Sequence, residues 1–105
     1  MTPYRTAASV FFLIVAISAT LSACETAPPV QETSDARQAI AVAREAGAVD
    51  RAAMELQEAE RFLKRAEQSL NQRDYDEARD AAMQAHERAK KALRMAEADR
   101  ETRFQ

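Results

Sequence analysis

Tryptophan is absent from this 105-residue chain, and cysteine, histidine and glycine occur once each, as Cys24, His86 and Gly47. One glycine leaves no glycine-rich loop to cradle a phosphate. One histidine and one cysteine fall short of a zinc ligand set, and no nucleophile has a base at a recognisable spacing. A single cysteine excludes an internal disulfide. Neither sign of charge dominates: 15 basic residues stand against 17 acidic ones, without the strongly basic field that nucleic-acid binding requires. β-Branched residues are scarce after Val49, which argues against strands there. These absences predict a protein that is not an enzyme, carries no catalytic cofactor or metal and does not bind nucleic acid.

What is abundant is alanine, glutamate and arginine, residues that lose little on entering a helix. They follow a different kind of segment. In "MTPYRTAASVFFLIVAISATLSAC", Arg5 supplies a positive start, Val10–Ile17 an apolar run, and Ser18, Ala19, Ser22 and Ala23 small residues. That is the three-part layout of a secretory signal, and its apolar run is shorter than the roughly 20 residues needed to span a bilayer. Leu21–Ser22–Ala23–Cys24 resembles the lipobox of bacterial lipoproteins. The resemblance implies removal of residues 1–23 as a signal peptide, a diacylglyceryl group on the Cys24 sulfur and an acyl group on its amine. It also implies a place in the cell envelope. Glu25, where aspartate would signal retention at the inner membrane, implies the outer membrane facing the periplasm. The alternative is an ordinary signal cleaved at small residues, with Cys24 left as a spare thiol.

Residues 24–34 include Pro28–Pro29 and show no helical periodicity, which predicts a flexible, extended tether. Residues 35–102 then read as an all-α domain, a small antiparallel alanine-rich hairpin or three-helix bundle with helices at about 35–47, 50–71 and 74–101. Ser34 or Asp35 can cap the first helix, whose face is Ala36, Ala39, Ile40 and Ala43, and Gly47 can end it. Asp50 can cap the second, with the stripe Ala52, Leu56, Ala59, Leu63, Ala66 and Leu70. After the polar turn Asn71–Gln72–Arg73, Asp74 can cap the third, with Glu77 completing a capping box. Its stripe is Tyr75, Ala78, Ala82, Ala85, Ala89, Ala92 and Ala96. Glu60–Lys64 and Glu87–Lys91 have favourable i,i+4 order. Alanine buries little area, so this core is thin, and a partner or self-association is expected.

The pattern over residues 33–100 resembles a periplasmic domain of unknown function, the family numbered 4398, which occurs in bacterial lipoproteins. The residues carrying the likeness are the alanine stripes together with Ile40, Gly47–Ala48, Glu55–Leu56, Leu63 and Tyr75; Ala53 stands where that pattern has proline. The resemblance implies an architecture and a compartment, and no reaction.

Few residues suggest chemistry. His86 flanks the apolar stripe without a second ligand, and Asp74, Asp76, Glu77 and Asp80 suit a helix N-terminus better than a calcium loop lacking glycine. Arg88, Lys90, Lys91 and Arg94 form a basic patch that could meet a partner or lipid headgroups. Phe62, Met54, Met83 and Met95 lie off or at the edge of the stripes and could mark a partner surface. The sequence therefore predicts a lipid-anchored, non-catalytic interaction module of the envelope. The alternatives are a self-associating structural spacer or a peripheral headgroup binder.

Overall fold

The computed structural model describes residues 27–104. The signal segment, the lipobox residues Leu21, Ser22 and Ala23, and Cys24 lie outside the described residues. The fold is all-α, a bundle of three long helices with one short helical turn: α1 (Val30–Glu45), α2 (Ala48–Arg51), α3 (Ala53–Asn71) and α4 (Tyr75–Arg103).

The long helix α4 is the centre of the bundle. It packs most extensively against α3 and next against α1, whereas α1 and α3 touch each other less. Ion pairs fix the directions. Glu32–Arg79 and Arg51–Asp99 run upward together, so α1 and α2 lie parallel to α4. Arg65–Glu77 and Glu55–Lys91 run oppositely, so α3 is antiparallel to α4. Arg37–Glu67 and Arg44–Glu60, one heptad apart on each helix, hold α1 antiparallel to α3. Glu60 and Lys91 thus pair across helices, not with Lys64 and Glu87 along their own. These pairs are largely exposed and contribute about 1 kcal/mol each at most.

A helix flanked on two sides needs a wide apolar face, and α4 supplies it entirely with alanine: Ala78, Ala81, Ala82, Ala85, Ala89, Ala92 and Ala96 are all buried. Ala81, outside the expected stripe, is buried because the face is broader than one partner requires. Thirteen of the fifteen buried apolar residues in the described chain are alanine, the others being Ile40 and Leu56. Side chains this small let helix axes approach towards the 8 Å end of the usual range.

Two helix starts differ from the sequence expectation. The first helix begins at Val30, not near Asp35, so residues 30–34 belong to the bundle and not to a tether. Pro28–Pro29 do not signal an extended spacer here, because proline is compatible with the first turn, where N–H groups lack intrahelical partners anyway. Pro29 occupies the N-cap, and its carbonyl accepts from the Thr33 N–H at 3.2 Å and the Thr33 hydroxyl at 2.8 Å. Asp35 is not a cap; its Oδ1 accepts from Gln31 Nε2. The second expected helix is broken at Ala52 (φ −145°, ψ 46°), so Asp50 lies inside α2 and caps nothing. Ala53 is consequently the first residue of α3, the helical position at which proline is best tolerated. The departure from the family pattern at Ala53 therefore falls where either residue fits.

Both turns use left-handed backbone. Gly47 (φ 90°) ends α1, with its N–H donating to the Arg44 carbonyl at 3.0 Å. Arg73 (φ 62°) does the same after α3 in a full Schellman motif: its N–H donates to Leu70 O at 3.1 Å and the Asp74 N–H to Ser69 O at 2.9 Å. Asp74 Oδ1 then accepts from the Glu77 N–H at 3.4 Å, capping α4. The reciprocal half of the capping box is missing, because Ser69 already occupies the Asp74 N–H and the Glu77 carboxylate pairs with Arg65. Arginine at a left-handed position is strained where glycine would not be. Arg73→Gly is accordingly expected to raise stability by about 1 kcal/mol, read as an upward shift of the urea midpoint.

Candidate functional site

The basic residues of the last helix do not form one face. At 100° per residue, Arg88 and Lys90 project to opposite flanks of α4. Arg88 is half-buried on the α3 side, its Cζ 6.0 Å from the centroid of the Phe62 ring. Arg61 Cζ stands 5.5 Å from the same centroid, so the ring has a cation on each of two approaches. Lys91 reaches Glu55 of α3 at 3.6 Å. Lys90 lies 3.5 Å from Glu87 and lines the groove between α1 and α4. Arg94 is exposed, with no carboxylate within 4 Å among the described residues. Three of the four cations are thus committed to local partners.

The α1–α4 groove holds about 230 Å³ and is lined by Asp35, Gln38, Ala39, Val42, His86, Lys90 and Leu93. It is a shallow, mixed surface with His86 half-buried in its wall. The acidic residues of the α3–α4 turn are spent structurally: Asp74 caps α4, Glu77 pairs with Arg65, and Asp76 lies 3.6 Å from Arg79. No group of His, Cys, Asp and Glu among the described residues is arranged to hold a metal ion. No helix among them is long and apolar enough to cross a membrane.

Met54, Met83 and Met95 are exposed, as are Val30, Val42, Val49 and Phe104, whereas Phe62 is half-buried. The methionines are not gathered: Met54 is on the outer side of α3, and Met83 and Met95 lie on different sides of α4.

The busiest polar residue is one the sequence did not single out. Arg79 of α4 pairs with Glu32 of α1 at 3.6 Å, lies equally far from Asp76, and donates through Nη2 to the Ala27 carbonyl at 3.4 Å. Beside it, Pro29 and Thr33 are the largest fully buried side chains among the described residues. The segment entering α1 is thereby fastened to the N-terminal end of α4. Proline followed by Glu32 in a first turn was the available signal for an early helix start. Apart from Asp76, the partners of Arg79 are 47 and 52 residues distant in sequence, so nothing local marks its contact with the start of α1.

Fold and surface together define a small helical domain with an alanine seam. A family model described as "Domain of unknown function (DUF4398)" matches residues 31–104, and the chain belongs to that family. No curated protein and no solved structure matches it.

Proposed function

We propose that the protein is a lipid-anchored, non-catalytic interaction module of the bacterial cell envelope, attached through Cys24 and held on the periplasmic side of the outer membrane. The observation that carries this reading is the Leu21–Ser22–Ala23–Cys24 sequence three residues after a short apolar run. Diacylglycerol on the sulfur together with an acyl chain on the amine gives stable attachment, where one chain alone is marginal. The domain that follows presents mixed, shallow grooves and single exposed apolar side chains, a surface suited to contact with another protein rather than to enclosing a substrate. Headgroup binding through Arg88, Lys90, Lys91 and Arg94 is disfavoured, because the four diverge and three have partners.

Crosslinking in intact cells followed by affinity purification of the full chain tests the reading. Recovery of a specific envelope protein is expected. Recovery of the chain crosslinked only to itself would contradict it and favour a self-associating spacer.

A further inference from the structure

We infer that the bundle stands directly on the lipid surface, with the α3–α4 turn facing the membrane and the α2 end, with the C-terminal part of α4, pointing away. The inference rests on the lipid anchor proposed above and adds to it an orientation. A ten-residue tether would have let the domain hang at any angle. The structure removes most of that tether. Helix α1 begins at Val30, Pro29 is buried, and the Ala27 carbonyl is hydrogen-bonded to Arg79. Only three residue steps separate Cys24 from Ala27, and three steps span at most about 11 Å in any conformation.

Arg79 lies in the second turn of α4, and Glu32, its partner, lies in the first turn of α1. Because α1 is parallel to α4 and α3 is antiparallel to both, the starts of α1 and α4 share one end of the bundle with the Asn71–Asp74 turn. The attachment point is therefore confined to that end. The exposed residues of the turn are polar, namely Asn71, Gln72, Arg73, Asp74 and Asp76, which suits contact with hydrated headgroups, and Ala27, Pro28 and Val30 add a small exposed apolar surface at the same end. At 1.5 Å per residue, Glu101 stands about 40 Å further along α4 than Tyr75. The distal end, with Gly47, Val49 and the last turns of α4, is the one an envelope partner can reach.

The test uses the lipidated full chain in vesicles carrying an energy-transfer acceptor on the lipid headgroup. Cysteine is introduced by Gln72→Cys or Glu101→Cys and labelled with a donor, the Cys24 sulfur being blocked by its lipid. Strong transfer from position 72 and its loss from position 101 are expected. A glycine–serine spacer of ten residues inserted between Thr26 and Ala27 should reduce that difference. Equal transfer from the two positions without the spacer, in protein that carries lipid and floats with the vesicles, would overturn the orientation alone. Protein that carries no lipid and stays off the vesicles would overturn the anchor, and the orientation with it.

Discussion

Ala89→Leu is expected to destabilise the bundle by about 3 kcal/mol, at the upper end of what overpacking a close-packed core ordinarily costs. Ala89 is fully buried in the cluster that joins Ile40 and Ala43 of α1, Leu56 and Ala59 of α3, and Ala92 and Ala96 of α4. Leucine is as good a helix former as most residues, so the loss would come from volume and not from propensity. The added carbons have nowhere to go unless the axes move apart, and moving them strains the neighbouring alanine contacts together. Ala89→Gly provides the comparison: it leaves the space open and should cost about 1 kcal/mol, mainly as lost helix propensity. Urea unfolding of residues 27–105 measures both. Leucine tolerated better than glycine would mean that the seam is looser than its geometry indicates.

Leu56→Ala is expected to cost about 2–4 kcal/mol by the same measurement, the ordinary range for emptying a core leucine site. Leu56 and Ile40 are the largest buried apolar side chains among the described residues, so each contributes more apolar burial than any single alanine of the seam. A domain this small has little stability in reserve, and a loss of this size brings it close to unfolding at room temperature. Substituting the exposed Met54 with alanine should leave the midpoint within about 0.5 kcal/mol of the parent.

The helical stripes were legible in the sequence because alanine and leucine recur at helical spacing. Ala78, Ala82, Ala85, Ala89, Ala92 and Ala96 are buried as that spacing predicts, and α3 follows Leu56, Ala59 and Ala66. The Asp74 cap was legible for the same reason, since aspartate three residues before glutamate is a local pattern. The errors arose where tertiary contact decides. The start of α1 depends on a Pro29–Thr33 turn packed among other helices, and an isolated proline pair reads equally well as linker. The break at Ala52 has no glycine or proline to announce it. The basic patch looked coherent as a run of residues, yet adjacent positions on a helix point in different directions, and α3 draws Arg88 and Lys91 to one side.

The lipid anchor is tested most directly by metabolic labelling with a fatty-acid analogue and membrane fractionation of the full chain beside Cys24→Ser. The parent chain should incorporate the label and sediment with membranes, while Cys24→Ser should incorporate none and appear in the soluble fraction. A Cys24→Ser protein that still carries the label, or still fractionates with membranes, would contradict attachment through this residue.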